Sequence, residues 1–530
     1  MNKDDAGLEG ERRVRPRRTA RPGSYAPVTI ADGIRASAAR APAKIALIDG
    51  DGHKALSFAD LVDRIHRVAN AVGAGLGLGR GDHVALMAPN CVEFVEVVCG
   101  VAAAGAAVAL VNPRLTTSEL EYICDDSQAR VLFVHPSVED VARAASFATV
   151  EKVIVISNED YERWLLRARA SPPGARIEEW DPFALVYTSG TTGRPKGVVL
   201  SHRSRVLTFF AMAAEYGCYS PDDRSLAVAP LYHGGGLGFT LGPLFLGGSC
   251  VLLRKFDPEI VVRAIHERGV TATFLVPTHF AGILALSGPQ LECHTKGTLK
   301  ALISNGAPLP QATKELIIER VGDSVLHESY GSTEASLVSN LRPRDQLEKQ
   351  ESVGLPFPCT KVRILNDADE EMGPNEPGEL FSQSPYHFNG YWGQPARGEN
   401  AFRDGWFSAG DMARRDEDGY LYIVGRKDDM IISGGVNIYP REIEEVMAHH
   451  PAVADVAVVG MPHEYWGEAI HAFVVLQNND QVSEEELLEY CSPRLARFKF
   501  PKTVRFVPSL PRNASGKLLR KELQSAMRGM

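Results

Sequence analysis

A stretch of small, hydroxyl-bearing and basic residues between two apolar segments carries the clearest chemistry in the sequence. It runs from Thr188 to Gly197 and holds four hydroxyls, three glycines and one lysine, Lys196. Hydroxyls and free backbone N–H groups bind phosphate oxygens, glycine lets the backbone come close, and lysine adds a positive charge. A simple turn between strands needs roughly two to five residues, so the length of this stretch favours a phosphate-binding loop. It is not a Walker A loop, because Gly-x-x-x-x-Gly-Lys-[Ser/Thr] occurs nowhere in the chain.

A second stretch combines groups that suit a metal ion and phosphates. Tyr330-Gly331-Ser332-Thr333-Glu334 sets a carboxylate beside hydroxyls, and Mg²⁺ prefers oxygen ligands and substrate phosphates. Taken alone this pentapeptide is weak, because a surface glutamate after a turn is commonplace. Its position about 140 residues beyond the loop is what gives it weight.

These motifs together resemble those of the acyl-adenylate-forming superfamily, which includes acyl-CoA synthetases, adenylation domains of peptide synthetases and beetle luciferases. Five signatures stand in the family's order and spacing between residues 184 and 517. The resemblance covers nearly the whole chain except residues 1–24, and it implies a fold, a reaction and a set of site residues.

The resemblance implies how each motif binds the nucleotide. Glu334 would help hold magnesium, Thr333 would contact phosphate, and Tyr330 would pack on adenine. Asp411 would accept hydrogen bonds from both ribose hydroxyls, as an acceptor-only carboxylate can, and Arg426 would contact the nucleotide. The ATP- or AMP-binding residues implied in this way are Thr188, Ser189, Gly190, Thr191, Thr192, Gly193, Lys196, Gly306, Ala307, Pro308, Tyr330, Gly331, Ser332, Asp411 and Arg426.

The reaction that the resemblance implies has two steps. A carboxylate displaces pyrophosphate from ATP·Mg²⁺ to give an acyl-adenylate, and coenzyme A then displaces AMP. Lys517 would reach the α-phosphate, where a fixed cation stabilises the developing charge; with His233, Thr333 and Glu334 it forms the expected catalytic set. Asp428 occupies the hinge position, where backbone torsions change between the two steps. Three alternatives stay open: a stand-alone enzyme that loads a phosphopantetheinyl carrier protein, a luciferase-like oxygenase, which shares all the motifs, and a non-enzymatic nucleotide sensor, which would not need Lys517.

The segment after the hinge favours coenzyme A as the acceptor. Residues 431–440 resemble the CoA-ligase form, although Val436 stands where relatives often carry glutamate. Paired glycines let a thin pantetheine arm pass close to the backbone. A core tryptophan and solvated lysines are the plainer interpretations of some of these positions. The CoA-binding residues that the resemblance implies are Ser433, Gly434, Gly435, Trp466 and Lys499, with Lys502 as a second lysine.

By the same resemblance, the residues expected to line the acid pocket are Phe210, Gly234, Gly235 and Asn305, beside His233. Glycines at 234–236 stand where bulkier side chains often narrow the pocket in relatives. No aspartate that could pair with an α-amine occurs in residues 232–239. We therefore expect a roomy apolar pocket for an aromatic, alicyclic or medium- to long-chain fatty acid, rather than acetate or an amino acid.

The bulk properties agree with an enzyme of this kind. With 530 residues, 44% hydrophobic and 23% charged, the chain predicts two or more globular domains. A net charge of −9 does not support a nucleic-acid partner. The eight cysteines form no Cys-x-x-Cys pair, no apolar run reaches the roughly 18 residues of a membrane span, and no apolar signal core begins the chain. We expect a cytoplasmic enzyme without stable membrane insertion, and a homodimer as the commonest assembly.

The elements that must position these motifs alternate between strands and helices, which predicts a parallel α/β sheet. The fold class expected is α/β: a large N-terminal domain of doubly wound α/β subdomains with a small β-barrel-like subdomain, then a small mobile α+β C-terminal domain. The expected boundaries are 1–24 for a disordered basic tail, 25–426 for the N-terminal domain, about 353–426 for its barrel-like part, and 427–530 for the C-terminal domain.

Overall fold

The computed structural model of the protein describes residues 27–50, 54–188, 194–287, 298–434, 436–477, 482–512 and 518–528. The helices in these ranges are α1 Ile30–Arg40, α2 Phe58–Asn70, α3 Val92–Ala103, α4 Thr117–Asp126, α5 Glu139–Ala144, α6 Glu159–Leu166, α7 His202–Tyr216, α8 Gly234–Phe245, α9 Pro258–Glu267, α10 Pro277–Leu284, α11 Gln311–Arg320, α12 Pro395–Asn400, α13 Pro440–Ala448, α14 Glu484–Cys491 and α15 Arg520–Arg528.

The strands form four sheets. They are β1 Ile45–Asp49, β2 Ala55–Ser57, β3 His83–Met87, β4 Ala107–Val111, β5 Ala129–Val134, β6 Lys152–Val155, β7 Pro182–Thr188, β8 Lys196–Ser201, β9 Arg224–Ala227, β10 Ser249–Leu252, β11 Ala272–Leu275, β12 Ala301–Ser304, β13 Leu326–Ser332, β14 Ser336–Leu341, β15 Leu355–Pro356, β16 Lys361–Leu365, β17 Gly378–Gln383, β18 Phe402–Arg403, β19 Trp406–Phe407, β20 Asp411–Arg415, β21 Leu421–Arg426, β22 Ile431–Ser433, β23 Val436–Ile438, β24 Val453–His463, β25 Gly467–Leu476 and β26 Thr503–Phe506.

Two large sheets, mostly parallel, build the body of the protein. The first has the order β6-β5-β3-β4-β7-β8, parallel except for β8, which returns antiparallel to β7. The second has the order β15-β14-β13-β12-β11-β9-β10-β1-β2, parallel from β13 to β1. Ligands bind at the carboxyl ends of strands in such sheets, and both β7 and β13 end in site residues.

Helices packed between the sheets hold them in place. In α2 the apolar residues recur at helical spacing, with Leu61, Ile65 and Val68 fully buried, and Ser57 with Asp60 forms a capping box at its N-terminus. In α3 every residue is buried, and its two glutamates are paired with Lys54 and Arg64. The largest core cluster draws residues from α1, α2, α3, α7, α8 and both sheets, which fixes the strand ends relative to one another.

The third and fourth sheets follow along the chain. The third has the order β18-β19-β17-β20-β21 with β16 on β17, and its strands pair antiparallel. The fourth has the order β23-β22-β25-β24 with β26 on β25, and carries α13 and α14 on a core of its own. The predicted α/β fold with a smaller α+β unit after it is confirmed; the exact domain boundaries stay predictions.

Within the ranges given above, no helix has the length and apolar character needed to cross a membrane.

Candidate active site

The pentapeptide at the end of β13 contributes to two polar clusters. Tyr330 belongs to the cluster with Asp411 and Arg426, and Glu334 to the cluster with Lys196 and Tyr391. Because Tyr330 and Glu334 stand on one turn, the two clusters are neighbours. The predicted phosphate side and nucleoside side thus share one strand end.

The phosphate side is an ion pair bridged by a tyrosine. Lys196 Nζ lies 2.9 Å from Glu334 Oε1 and donates a hydrogen bond to the Tyr391 hydroxyl at 2.7 Å. The Tyr391 hydroxyl donates in turn to Glu334 Oε1 at 2.9 Å. The Lys196 and Glu334 side chains are only 14% and 11% exposed. Burial, and then the Glu334 carboxylate, raise the pKa of Tyr391 well above its ordinary value, so this phenol stays protonated and donates.

A short extended segment, residues 388–392, carries Tyr391 and binds both neighbouring elements. It runs along the outer edge of β8, with Val199 N–H donating to Gly390 O and Asn389 N–H to Val199 O. Trp392 N–H donates to Gly197 O, and Phe388 N–H donates to Glu334 O. The segment thus joins the hairpin that bears Lys196 to the turn that bears Glu334.

The nucleoside side is built by strand register. Asp411 in β20 is the cross-strand partner of Arg426 in β21, and Arg426 Nε donates to Asp411 Oδ1 at 3.0 Å. The Tyr330 hydroxyl donates to the other oxygen, Oδ2, at 2.6 Å. Burial, and then Asp411, raise the pKa of Tyr330 well above its ordinary value. The structure therefore brings together three residues predicted to contact adenine, ribose and nucleotide.

The turn after Tyr330 depends on glycine. A Cβ at Gly331 would lie 1.9 Å from Ser336 O across the β13–β14 hairpin, at the point where its register shifts. The Ser332 hydroxyl accepts a hydrogen bond from Ala335 N–H at 3.0 Å and closes the turn. Thr333 faces the first residue of α8, since a Cβ at Gly234 would lie 3.5 Å from its Cγ2. This contact sets the predicted phosphate and acid sites side by side.

His233 begins the acid side as the N-cap residue of α8. Its Nε2 is buried and meets no hydrogen-bond partner within the described parts of the chain. Burial lowers the pKa of His233 to about 4, so the ring is neutral near pH 7. The Thr188 hydroxyl, at the end of β7, is a second buried group of this kind. Such groups at strand ends suit a polar ligand rather than a closed core.

Two phenylalanines back the expected acid pocket. A Cβ at Gly235 would lie 3.3 Å from the Phe274 ring, while Gly235 itself is exposed. Phe274 stacks on Phe239 with centroids 4.4 Å apart and an interplanar angle of 11°. Gly236 has a different role, because a Cβ there would lie 2.1 Å from Pro230 O. An open glycine above stacked rings is consistent with a flat apolar acid.

The other predicted pocket and adenine residues lie at nearby strand ends, with one exception. Asn305 follows β12 and donates its N–H to Leu275 O at 3.4 Å, and the next residues, Gly306-Ala307-Pro308, continue that loop. Gly306 has φ +95° and sits over Val276. Phe210 is 53% exposed and places its ring edge against Phe245. It therefore contacts the far end of α8 rather than the glycines at 234–235.

Of the residues predicted to bind CoA, Gly434 packs against Trp466 and Lys502 lies near its ring. Gly434 N–H donates to Trp466 O at 2.8 Å, and a Cβ at Gly434 would lie 3.1 Å from the indole. Lys502 Nζ lies 5.0 Å from the Trp466 ring centroid, whereas Lys499 is paired with Glu442. The indole is 38% exposed, so it is not a core residue. Lys502 is therefore the better placed of the two lysines beside it.

Several predicted residues lie outside the described residues: Ser189, Gly190, Thr191, Thr192 and Gly193 of the loop, Gly435, and Lys517. Asp428, the predicted hinge residue, lies in a single 3₁₀ turn directly after β21. The preceding Lys427 pairs with Asp367 and Glu379 of the third sheet.

Magnesium fits the oxygen groups at this turn. The described ranges hold no cluster of three or more His, Cys, Asp or Glu side chains that could bind a metal alone. Mg²⁺ is commonly held by one or two carboxylates together with substrate phosphates. Glu334, beside the Thr333 hydroxyl, supplies such a carboxylate.

Sequence reasoning missed Tyr391, Phe239 and Phe274. Tyr391 is 57 residues from Glu334 in the chain, and the residues next to it do not indicate that its hydroxyl contacts a charged cluster. The two phenylalanines have the pattern of ordinary core residues. Only the Asn-Gly-Tyr-Trp string at 389–392, with glycine beside aromatics, offered a signal of a close backbone approach.

Comparison with known proteins supports the same assignment. The model of the AMP-binding enzyme family matches residues 34–392, and that of the AMP-binding enzyme C-terminal domain matches residues 442–517. A feruloyl-CoA synthase from Amycolatopsis sp is 37% identical over 475 residues, 89% of this chain and 94% of that protein. Solved ATP-bound MatB from Rhodopseudomonas palustris is similar with a TM-score of 0.85 and 32% identity, covering 92% of this chain and 96% of that one. The o-succinylbenzoate CoA synthetase from Bacillus subtilis, solved with its acyl-adenylate intermediate, has a TM-score of 0.83 and 31% identity, covering 93% and 97%.

Proposed function

Because the chain belongs to the AMP-binding enzyme family, we propose that it is an AMP-forming acid–CoA ligase acting on an aryl or other bulky apolar carboxylic acid. The observation that carries this proposal is the shared turn from Tyr330 to Glu334. It supplies one residue to a nucleoside cluster and one to a phosphate cluster. The CoA-ligase names of the relatives agree with the predicted reaction type and do not favour the carrier-loading or oxygenase alternatives.

In the first step the chain's residues orient ATP against the acid. Tyr330 and Asp411 bind the nucleoside, and Arg426 holds the Asp411 carboxylate in place. Lys196 brings its charge to the phosphates, and Glu334 would hold Mg²⁺, which would shield the phosphate charge from the attacking carboxylate. Lys517 stabilises the charge that develops on the α-phosphate as pyrophosphate leaves.

In the second step coenzyme A approaches past the fourth sheet. Gly434 packs directly against the Trp466 indole, which a side chain at this position would crowd, and Lys502 adds positive charge near the indole. Rotation at Asp428 moves the face that bears Lys517 away from the substrates and brings the face that bears Gly434 and Trp466 towards them. The predicted cytoplasmic location and homodimer stay predictions.

The acid class follows from the pocket walls. The Phe239–Phe274 stack offers a flat apolar surface below Gly235, and a neutral His233 carries no charge that would recruit a second anionic group. Stacked and edge-on aromatic contacts favour an aromatic ligand in such a pocket. We therefore place aryl acids ahead of fatty acids within the predicted range.

The test is an incubation with ATP, Mg²⁺ and a panel of aryl, fatty and short acids, with and without CoA. We expect pyrophosphate release that needs an acid and collapses in Lys517→Ala, but not in the control Lys361→Ala, an exposed strand lysine. AMP and acyl-CoA should form only when CoA is present. An adenylate that forms and stays bound after CoA is added would contradict the CoA-ligase proposal and point to a carrier protein or an oxygenase.

A further inference from the structure

Tyr391 contacts both charged residues of the phosphate cluster. We propose that it is a positioning residue, whose hydroxyl holds Glu334 in place while Lys196 moves from that carboxylate to the phosphates of ATP. The inference rests on the proposed function, because ATP is the ligand that draws Lys196 away.

For ATP to bind in this way, Lys196 must leave Glu334 and pair with the phosphates. In the structure its ammonium lies against Glu334 Oε1 at 2.9 Å, with both side chains nearly buried. A carboxylate and phosphates compete for the same cation. When the phosphates bind Lys196, Glu334 loses the charge that compensates its burial, and an uncompensated buried carboxylate is costly.

Tyr391 is the partner that stays. Its hydroxyl donates to Glu334 Oε1 at 2.9 Å, and a hydrogen bond to an ionised group is stronger than one between neutral groups. Lys196 and Tyr391 both contact the carboxylate through the same oxygen, Oε1. The hydroxyl therefore fixes the orientation of the carboxylate after Lys196 has left.

The position of this hydroxyl is set by the surrounding fold rather than by the Glu334 side chain. Backbone hydrogen bonds hold residues 388–392 against Gly197, Val199 and the main chain of Glu334. The next side chain, Trp392, donates its Nε1–H to Asp126 O at 2.9 Å and packs edge-on against His83 at 4.3 Å. A group held by rigid elements keeps its geometry when a neighbour moves.

The first experiment compares Tyr391→Phe with wild type in calorimetric titrations with ATP·Mg²⁺ in the absence of acid. The lost hydrogen bond should cost more in the ATP complex, where Glu334 no longer pairs with Lys196, than before ATP binds, where that pair remains; we therefore expect the Kd to rise by up to about ten-fold. The KM values for the acid and for CoA should change less than about two-fold, since the phenyl ring remains. The control is Tyr386→Phe, which removes a buried hydroxyl that donates to Pro358 O and should leave the Kd unchanged.

The second experiment separates positioning from general support of the fold. In the Glu334→Gln background there is no carboxylate to hold, so adding Tyr391→Phe should change the Kd for ATP·Mg²⁺ less than about two-fold. Equal effects in both backgrounds, or an equal effect of Tyr386→Phe, would overturn the proposal. So would an unchanged Kd in Tyr391→Phe with its thermal midpoint preserved.

Thermal denaturation of each variant shows whether it folds. Tyr391→Phe keeps the ring and the main-chain hydrogen bonds of residues 388–392, so its thermal midpoint should lie close to that of wild type. A Tyr391→Phe protein that does not fold would show that the hydroxyl supports the fold, and this would overturn the positioning role. Wild type without acid-dependent pyrophosphate release would refute the proposed function itself, which is a different outcome from a Tyr391→Phe protein that matches an active wild type.

Discussion

Replacing Gly235 by leucine tests the acid pocket most directly. A Cβ at this position would lie 3.3 Å from Cε1 and Cζ of Phe274, and the glycine is exposed to the space above that ring. The remaining atoms of a leucine side chain must therefore occupy the space in which the acid is expected to lie. The backbone should tolerate the change, because position 235 lies in the first turn of α8 and leucine is a good helix former.

The magnitude follows from pocket energetics. A single methylene in a hydrophobic pocket is worth roughly 1–3 kcal/mol, or about 10–200-fold in kcat/KM. A leucine side chain removes more space than that, so kcat/KM for aryl acids should fall at least about 100-fold. Acetate and propionate, which do not reach Phe274, should change less than about three-fold or improve.

The assay is acid-dependent pyrophosphate release with saturating ATP·Mg²⁺ across aryl, medium-chain and short acids. Gly238→Ala is the matched control in the same helix, because a Cβ there meets nothing within 4 Å; it should leave the acid profile unchanged. Unchanged selectivity in Gly235→Leu would refute the placement of Gly235 in the pocket. An equal loss on every acid would mean that the variant disturbs the fold instead.

Three further predictions concern the framework. Gly331→Ala should raise the KM for ATP and destabilise the protein by roughly 1–3 kcal/mol, because the new Cβ would overlap Ser336 O. Denaturant unfolding measures the loss of stability, and a titration of the activity with ATP measures the KM. Wild-type values for both would contradict the turn geometry. Lys314→Met should lower the free energy of unfolding by about 3–5 kcal/mol, because it leaves the buried Glu328 carboxylate without its cation. The Lys314 and Glu328 side chains are only 1% and 5% exposed. A variant as stable as wild type in urea denaturation would mean that Glu328 does not depend on Lys314 for its charge compensation. Burial lowers the pKa of His202 to about 4, so the unfolded state, with an ordinary pKa near 6.5, binds more protons between these values. The stability that the neutral, buried His202 contributes is therefore fully present above about pH 6.5 and is lost as the pH falls towards 4, by up to about 1.4 kcal/mol per pH unit. In denaturation curves, His202→Gln should reduce the dependence of the unfolding free energy on pH over this range. An unchanged dependence would show that His202 does not contribute to it.

The sequence predicted the elements whose patterns are local. The alternation of strands and helices, the buried helix running into β4, and the loop between β7 and β8 all follow from spacing and turn residues. Element ends were less well predicted: β24 and β25 are longer than their apolar cores, because they form one hairpin from Val453 to Leu476. Helix α8 begins at Gly234, with His233 as its N-cap residue, although three glycines in a row give no helical signal.

Site residues that act through distant partners were not predictable. The partnership of Asp411 with Arg426 depends on strand register, which a sequence pattern does not fix across separate turns. Tyr391 meets Lys196 across 195 residues of chain, and a tyrosine in a glycine-containing loop has no signature of its own. Phe274 lies in a strand whose four residues are all buried, as an ordinary core residue would, so its contact with Gly235 needed the structure.

The charged residues of the site are paired with one another, and this has a consequence for nucleotide binding. Lys196 is neutralised by Glu334, and both oxygens of Asp411 are occupied, by Tyr330 and Arg426. ATP must therefore displace existing partners of these residues instead of binding to unpaired groups. Its phosphates must take Lys196 from Glu334, and its ribose must share Asp411 with Tyr330. Replacing an existing partner contributes less binding free energy than pairing with an unpaired group, because the interactions of ATP with Lys196 and Asp411 replace ones that already exist within the protein. ATP without Mg²⁺ should accordingly bind weakly, since nothing then compensates Glu334, and calorimetric titration in EDTA should give a Kd at least about ten-fold higher than with Mg²⁺. Equal affinities with and without the metal would show that Glu334 does not need a replacement cation, which would remove the electrostatic basis for the exchange.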